Sequence, residues 1–423
     1  MTPQVKAEEV ASIMLSWHGL ELVSYREMQS LWAGYGHISE VKARATSDEA
    51  AARLHGLYGN GDEEKDTFPL VLKLISPPPT RPGKEDEGHL RKILSYEVEQ
   101  YFYSAIAPRL DSDVAVARCV ASTRDMAGRP GAAALEGLTA TLMTDLRPAF
   151  PIAGEKRAEL DADQVHAALR WLAGFHKSSW KTPSTPRREL LLPPLEEAAR
   201  RRKGSQDGHT VWLNGGYTYL ATRRKEYGGL ASDDESEWSA ALCEPTATDG
   251  SSIAEIVAQV LSPRNREQET LIHGDVKSEN LFASRSGHEV AFFDFQYAGL
   301  GLGVCDLAKL FTCSVPLNML LDDQEEVPDE LPLGKISGEE KLLRLYHKML
   351  LDGTSKEYEW DLFVQHWEAA LVDWLRFQAS WGFWGNTEWL EARVRCILKD
   401  KDWVDWLHEE HRALRQETNH LPN

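Results

Sequence analysis

The sequence predicts an α+β protein of two lobes, a smaller N-terminal lobe over residues 1–145 and a larger, mostly helical lobe over residues 146–423. A chain of 423 residues is longer than one hydrophobic core usually organises. The first lobe reads as mostly β-strand with one long helix, because short apolar runs alternate with glycine- and proline-rich turns. The rest of the chain shows helical spacing of apolar residues, most regularly in a tryptophan-rich stretch near its end.

The composition is that of an ordinary globular protein. With 42% hydrophobic and 27% charged residues, the chain falls outside the disordered class. No apolar run approaches the ~20 residues that span a bilayer, and the N-terminus lacks the pattern of a signal peptide. Five scattered cysteines show no metal-ligand spacing. We therefore expect no membrane partner, free thiols and a cytoplasmic location.

The net charge of −19 argues against a nucleic-acid partner, because phosphate backbones are bound by clustered lysine and arginine. Acidic residues concentrate at 233–237 and 322–330. Such a surface raises the local concentration of cations and mildly favours a cationic or neutral substrate. The alternative is that both stretches are solvated loops.

In the N-terminal lobe, Gly34 and Gly36 form a turn in which backbone amides can approach phosphate oxygens, since glycine has no Cβ. Residues 68–75 then read as an apolar strand interrupted by Lys73. Burying an ammonium group costs several kcal/mol unless it is paired. Lys73 therefore either binds an anion, such as nucleotide phosphate and a helix glutamate, or lies at a strand edge and reaches water.

A helix is predicted from Leu90 to Ala107, and it carries two glutamates, Glu97 and Glu99, that could pair with Lys73. Pro108 ends it.

Two further strands are predicted at 114–120 and 138–143. The run that includes Met143 and Asp145 would then connect the lobes, where backbone groups could contact an adenine ring.

The C-terminal lobe is predicted to be helical. Asp161 is a good N-cap for a helix that places His176 on its apolar face as a core histidine. Aromatic residues from Phe363 to Trp381 recur at steps of four and three, which indicates a buried helix face. Alternatively, some of these rings line an acceptor pocket and hold a cation. Further helices are predicted at 211–227 and 252–261, and residues 309–318 are expected to continue a helix.

The most informative stretch is His273–Asn280, which reads His-Gly-Asp-Val-Lys-Ser-Glu-Asn and is followed by Asp294. ATP-dependent phosphoryl transfer needs a carboxylate for the proton of the attacking hydroxyl, a cation beside the transferring group and metal ligands. Asp275 can be the carboxylate and Lys277 the cation. Asn280 and Asp294 offer the hard oxygen ligands that Mg²⁺ prefers.

This pattern resembles the kinase-like small-molecule phosphotransferases: aminoglycoside phosphotransferases, choline kinases and the ecdysteroid-kinase-like group. It rests on His273-Gly-Asp275, on Asn280 five residues after the aspartate, and on Asp294-Phe-Gln296. The resemblance implies a two-lobed protein-kinase-like fold with an antiparallel N-lobe sheet. It also implies ATP and Mg²⁺ as cofactors and a small-molecule hydroxyl as the acceptor.

The resemblance also implies roles for individual residues. Asp275 would be the catalytic base, and Asp306 a buried acid that braces the catalytic loop. The family pattern Glu-x-x-Phe-Tyr fits Glu99 but not Glu97, so Glu99 is the expected partner of Lys73.

Two alternatives stay open. A lysine two residues after the base, here Lys277, is typical of serine/threonine protein kinases, whereas aminoglycoside phosphotransferases more often have histidine at this position. Against a protein kinase stand His-Gly-Asp in place of His-Arg-Asp, and the short chain between Asp294 and Asp306. The second alternative is a pseudokinase that acts through protein contacts, although every residue that the chemistry needs is present.

Overall fold

The computed structural model describes residues 5–58, 67–78, 86–180, 185–205, 208–246, 250–321, 326–334 and 337–419. By its contacts the chain divides into two compact units. The first comprises Met1–Leu110, Ala115–Pro151 and Arg188–Val211, and the second Asp111–Val114, Ile152–Arg187 and Trp212–Asn423. This division does not follow a single cut in the chain, because residues 188–211 group with the first unit.

The elements are numbered in chain order. The strands are β1 (Leu20–Ser30), β2 (Gly36–Ala45), β3 (Thr67–Ile75), β4 (Cys119–Ser122), β5 (Thr139–Thr144), β6 (Ile152–Ala153), β7 (Glu269–Ile272), β8 (Leu281–Ala283), β9 (Val290–Phe292) and β10 (Gly299–Leu302). The helices are α1 (Ala7–Ser16), α2 (Asp48–Tyr58), α3 (Glu87–Tyr101), α4 (Ala162–Trp180), α5 (Pro194–Arg202), α6 (Arg224–Ala231), α7 (Glu237–Cys243), α8 (Ile253–Leu261), α9 (Val304–Cys313), α10 (Leu317–Leu321), α11 (Gly338–Leu351), α12 (Trp360–Trp381), α13 (Thr387–Lys399) and α14 (Lys401–Asn419).

The first unit is built on an antiparallel sheet with the strand order β1-β2-β3-β5-β4, as predicted. β5 corresponds to the strand expected at 138–143. The strand expected at 114–120 is wrong over its first five residues, since β4 begins at Cys119. Val114 and Val116 are buried without strand pairing. A short apolar run does not distinguish a strand from buried irregular chain.

The prediction of one long helix in this unit omitted α1 and α2. Val10 and Met14 of α1 are fully buried in the same core as Leu70 and Leu142 of the sheet. Helices this short gain most of their stability from such packing, so their own sequence signals are weak. The long helix itself is confirmed as α3, and a π-helical turn, Phe102–Ile106, continues it.

The second unit is mostly helical, which confirms the prediction for the C-terminal part. Asp161 caps α4, because its Oδ1 accepts a hydrogen bond from the backbone N–H of Gln164 at 2.8 Å. The predicted aromatic face of α12 is buried from Phe363 to Phe377, with Phe363 and Trp367 fully enclosed, but Trp381 at its end is exposed. Short antiparallel sheets pair β7 with β10, and β8 with β6 and β9. Among the described helices, none is both long enough and apolar enough to cross a bilayer.

The helix predicted at 211–227 is wrong before Arg224. Residues 212–215 instead run against β10, with the Gly215 N–H donating to the Leu300 carbonyl at 2.7 Å. A Cβ on Gly215 would lie 2.6 Å from a side-chain carbon of Ile272, so glycine permits this close approach. The helix expected to continue over 309–318 is α9, which ends at Cys313, and a short helix, α10, begins at Leu317.

Two acidic residues in the described parts of these stretches form ion pairs with basic side chains. Glu237 accepts two hydrogen bonds from Arg395, at 3.1 and 2.5 Å, and Glu330 pairs with Lys399. Residues 322–325 lie outside the described part of the chain. The effect of these stretches on the charge of a substrate stays a prediction.

Candidate active site

The candidate catalytic loop, residues 273–280 of the second unit, is anchored by one buried carboxylate. The loop follows β7. Its first two backbone N–H groups, of His273 and Gly274, donate to the carboxylate of Asp306 in α9 at 2.7 and 2.9 Å. Asp306 is fully buried. Lys309, one turn further along α9, donates to the Gly274 carbonyl at 2.9 Å. Side chains of α9 thus bind both backbone N–H groups and a backbone carbonyl at the start of the loop.

Asp306 is in turn held by His176, the histidine predicted to be buried. Its Nε2 lies 3.2 Å from Asp306 Oδ2, and its Nδ1 lies 2.7 Å from the Tyr346 hydroxyl. Burial by itself would raise the pKa of Asp306, but the hydrogen bond and charge of His176, with Lys309, lower it below its usual value. Asp306 is therefore a stable anion.

His273 has a defined tautomer. Its Nδ1 accepts from the Asp275 N–H at 3.3 Å, so Nε2 carries the proton and donates to the Phe293 carbonyl at 2.9 Å. Burial lowers the pKa of His273, although nearby carboxylates oppose this shift, so the ring stays neutral. The histidine ties the loop to the residue that precedes Asp294.

The Asp275 carboxylate contacts a lysine and an amide. Lys277 Nζ lies 3.2 Å from Asp275 Oδ2 and 3.1 Å from Glu279. Asn280 Nδ2 donates to the Asp275 carbonyl at 2.8 Å and to its Oδ2 at 3.1 Å. Burial lowers the pKa of Lys277, but the charges of Asp275 and Glu279 more than offset this and raise the pKa above its usual value. Lys277 is a permanent cation beside the candidate base.

Asp294 follows β9 in a left-handed conformation, with φ 66° and ψ 57°. This backbone is costly for a residue with a side chain, and strain of this kind clusters at active sites. The Gln296 side chain donates to Asp294 Oδ1 at 2.6 Å. Phe295 between them is fully buried against His273, with ring centroids 4.7 Å apart.

Asn280 and Asp294 have the donor chemistry of a magnesium site. Because the amide nitrogen of Asn280 faces Asp275, its Oδ1 is the atom left to act as a ligand, and the Asp294 carboxylate is a second hard oxygen donor. Within the described residues, no group of three His, Cys, Asp or Glu side chains is placed to hold a metal.

In the first unit, Lys73 of β3 and Glu99 of α3 form a buried ion pair of 2.5 Å. The two residues are 8% and 5% exposed, and Lys73 Nζ also lies 5.5 Å from the Tyr96 ring centroid. Glu97 instead pairs with Arg201. Of the two glutamates that the sequence left as candidates, the structure brings Glu99 to Lys73.

The glycine turn lies between β1 and β2. Gly34 has φ 72°, and a Cβ there would meet no atom within 4 Å. Gly36 has φ 141°, and a Cβ would lie 2.0 Å from the Leu74 carbonyl oxygen of β3. Gly36 is therefore required by strand packing itself, whereas Gly34 borders open space.

The residues predicted near the adenine lie at the end of β5. Met143 is buried in the strand. The Asp145 carboxylate binds Arg147, with contacts of 2.6 to 3.0 Å, and Arg147 also contacts Glu40 of β2 at 3.1 Å. The side chain of Asp145 is thus committed to this network, and only backbone groups at this position remain for a nucleotide base.

The sequence assigned no role to Glu279, Gln296 or Tyr217. Glu279 holds Lys277 and accepts from the Arg157 N–H at 3.1 Å, and Gln296 orients Asp294. The N–H of Tyr217 donates to the Gly274 carbonyl at 3.2 Å, which places its ring 4.9 Å from that of Tyr297. Glu279 and Gln296 lie inside the motifs and could have been found there, whereas nothing in the sequence links residue 217 to the loop.

The ring of Tyr217 already faces a cation. The Arg223 guanidinium lies 3.8 Å from its centroid and 5.4 Å from those of Phe377 and Trp381. Arg223 thus lies beside three rings of this region, and a role of the other rings in binding an acceptor stays a prediction.

The comparisons with known proteins follow the same pattern. The family model of the ecdysteroid kinase-like family matches residues 51–329, well over half of the chain. No curated protein matches the sequence significantly.

Solved structures that are similar include an ethanolamine kinase from Plasmodium vivax, with 11% identity, a TM-score of 0.38, and coverage of 93% of this chain and 82% of that one. A macrolide 2′-phosphotransferase from Brachybacterium faecium has 14% identity, a TM-score of 0.41, and coverage of 88% and 92%. A choline kinase from Cryptosporidium parvum has 12% identity, a TM-score of 0.38, and coverage of 95% and 90%. Similarity of this degree does not indicate an acceptor. The family match, in contrast, is decisive: the chain belongs to the ecdysteroid kinase-like family.

Proposed function

We propose that this chain transfers the γ-phosphoryl group of ATP to a hydroxyl group of a small molecule, with Mg²⁺ as the required metal. The observation that carries the proposal is the environment of Asp275, whose carboxylate lies beside Lys277 and Asn280 on a loop anchored by Asp306. Family membership supports a phosphotransferase.

Asp275 would act as the general base. It accepts the acceptor's hydroxyl proton as the hydroxyl oxygen bonds to the γ-phosphorus, and the bond from that phosphorus to the β-phosphate oxygen breaks to release ADP. Lys277 stays protonated and offsets negative charge on the transferring group. Glu279 holds Lys277 at 3.1 Å, so the lysine does not depend on substrate for its orientation.

Asn280 Oδ1 and the Asp294 carboxylate would hold the metal, which when bound neutralises phosphate charge. Gln296 supports this assignment, because its hydrogen bond to Asp294 Oδ1 orients the carboxylate.

In the first unit, Lys73 would bind the nucleotide phosphates, held in place by Glu99. The turn at 34–36 would lie over the phosphates, Gly34 being the position with open space around it. Backbone groups of residues 143–145 would contact the adenine.

This proposal assigns nucleotide binding to residues 1–145, and catalysis with acceptor binding to residues 146–423. A protein kinase is disfavoured, because the chain from Asp294 to Asp306 is wholly taken up by a 3₁₀ turn, β10 and the start of α9. The five cysteines are all free thiols, which supports the expected cytoplasmic location.

The test is ADP release from ATP–Mg²⁺ with a library of alcohol-bearing metabolites. Asp275→Asn should lower turnover by ~10²–10⁴-fold and leave nucleotide affinity nearly unchanged, because it removes the base and neither proposed metal ligand. Asp405→Asn, on the exposed face of α14, is the matched control and should keep wild-type turnover. Wild-type turnover in Asp275→Asn would sink the assignment. A pseudokinase would show no turnover with any acceptor, whether or not nucleotide shifts its melting temperature.

A further inference from the structure

Residues 188–211, here called the α5 segment, form a self-contained excursion of the chain. Its two ends are tied together: the Leu191 N–H donates to the Val211 carbonyl at 2.9 Å, and the Thr210 hydroxyl to the Glu189 carbonyl at 2.7 Å. The chain before and after it belongs to the second unit, but the segment itself groups with the first. Its position in the first unit therefore rests on its own contacts there.

A buried glutamate organises the segment. Glu197 of α5 is fully buried and accepts from the Leu192 N–H at 3.2 Å and from Arg201 Nε at 2.9 Å, and it pairs with Arg200. Arg201 Nη2 also donates to the Gly208 carbonyl at 3.0 Å. The guanidinium of Arg201 is thus fixed from within its own segment.

The fixed guanidinium reaches α3. Its two terminal nitrogens contact the two carboxylate oxygens of Glu97 at 3.1 and 2.7 Å, a two-point contact that defines orientation as well as distance. A second contact lies one helical turn further along α3. Arg124 stacks 4.9 Å from the Tyr101 ring centroid and donates to the His209 carbonyl at 2.9 Å.

α3 also contacts the sheet. Glu99 pairs with Lys73 of β3, and Gln100 donates to the Ala140 carbonyl of β5 at 3.0 Å. Positions 97 and 99 are separated by ~200° around a helix of 3.6 residues per turn. The same helix is therefore held by the α5 segment on one face and by the sheet on the other.

We propose that the α5 segment is a positioning element, acting through Arg201, that holds α3 where Glu99 pairs with Lys73. The consequence for nucleotide binding rests on the proposed function. Arg201 touches no reacting atom in this scheme and acts only through the helix. The segment would keep the Lys73–Glu99 pair formed without a regulatory partner.

The first experiment measures backbone hydrogen–deuterium exchange of the full chain, and it does not depend on any activity. Arg201→Ala should raise exchange in α3 and leave α12 of the second unit unchanged. Lys203→Ala, an exposed lysine of the same segment, is the matched control and should alter neither. Glu97→Gln removes the charge while keeping the side-chain shape, and should reproduce the effect if Arg201→Ala folds poorly. Unchanged exchange in α3 for both variants would overturn the proposal.

The second experiment measures the affinity for ADP–Mg²⁺. Arg201→Ala should weaken it about fivefold, the factor that corresponds to ~1 kcal/mol for a partly exposed ion pair. In a Glu99→Ala background the same change should have no further effect, because the pathway through α3 is already broken. Equal effects in both backgrounds, or loosened exchange with unchanged affinity, would overturn the positioning role. A wild-type chain that binds no nucleotide would instead contradict the proposed function, and the exchange result would stand.

Discussion

Replacing Asp306 by asparagine should both destabilise the second unit and slow phosphoryl transfer. The carboxylate accepts from the backbone N–H groups of His273 and Gly274, and His176 lies against it. Asparagine has nearly the same shape but only one acceptor oxygen. Its amide NH₂ would face one of these buried N–H groups, donor against donor.

The magnitude follows from these contacts. A hydrogen bond to a charged group contributes ~1.5–3 kcal/mol, and a buried donor left without an acceptor costs ~1–3 kcal/mol. In Asp306→Asn one of the two hydrogen bonds from the backbone N–H groups loses its charged acceptor, and the other is lost. We expect the free energy of unfolding to fall by ~3–5 kcal/mol, as for breaking a buried ion pair, out of a typical ~5–15 kcal/mol.

Urea unfolding followed by tryptophan fluorescence gives the stability, and ADP release gives the turnover. Asp163→Asn is the control, because its contact with His288 is exposed, and it should change stability by less than ~0.5 kcal/mol. A variant of Asp306 within ~1 kcal/mol of wild type, with unchanged turnover, would refute the anchoring role.

The pH dependence has a definite sign. The folded pKa of Asp306 is lowered, so its stabilisation is complete above the unfolded value of ~4 and is lost as pH falls through the folded value. The gap in stability between wild type and Asp306→Asn should therefore narrow below pH ~4. A gap that widened on acidification would contradict the ionised anchor.

Three further outcomes are expected. Asp294→Ala should abolish the dependence of nucleotide affinity on Mg²⁺ in titration calorimetry, and an unchanged dependence would remove Asp294 from the metal site. Lys73→Ala and Glu99→Ala should each weaken nucleotide binding and show a coupling of ~0.5–3 kcal/mol in a double-mutant cycle, whereas additivity would mean that the pair does not act together. His366 is hydrogen-bonded to Tyr358 at 2.6 Å, and burial lowers its pKa to about 3. The neutral ring therefore stabilises the fold fully above the pKa of ~6.5 that it has in the unfolded chain, and this stabilisation is lost as pH falls toward the folded pKa. His366→Phe should flatten the loss of stability between pH 7 and pH 5 by ~2 kcal/mol in urea unfolding, and an unchanged slope would contradict this.

The catalytic segment could be predicted because its chemistry is local. Asp275, Lys277 and Asn280 lie within one short loop, so their order in the chain nearly dictates that their side chains meet. The partner of Lys73 could not be derived from residue types in the same way. Two glutamates two residues apart project from different faces of a helix, and only packing decides which face meets β3.

The structure uses both glutamates, Glu99 toward Lys73 and Glu97 toward Arg201. Arg201 lies far along the chain, within the range 146–423 that the sequence assigns to the other lobe. Pairing between residues this far apart in the chain produces no periodicity or motif spacing in the sequence. The same reason explains the wrong helix at 211–223, where contacts with β10 override the helical spacing of apolar residues.

The way the site is held also bears on the kind of kinase this chain can be. In protein kinases, ordering of the loop after the metal aspartate is a regulated step. Here Phe295–Tyr297 form a 3₁₀ turn, and β10 pairs with β7 directly before the catalytic loop. The next helix supplies Asp306, which binds the loop's first N–H groups. The chain from Asp294 to Asp306 is thus already ordered by contacts within the second unit. Catalytic-loop geometry set in this way needs no modification to form, which favours the proposed small-molecule phosphotransferase over a protein kinase regulated through that loop.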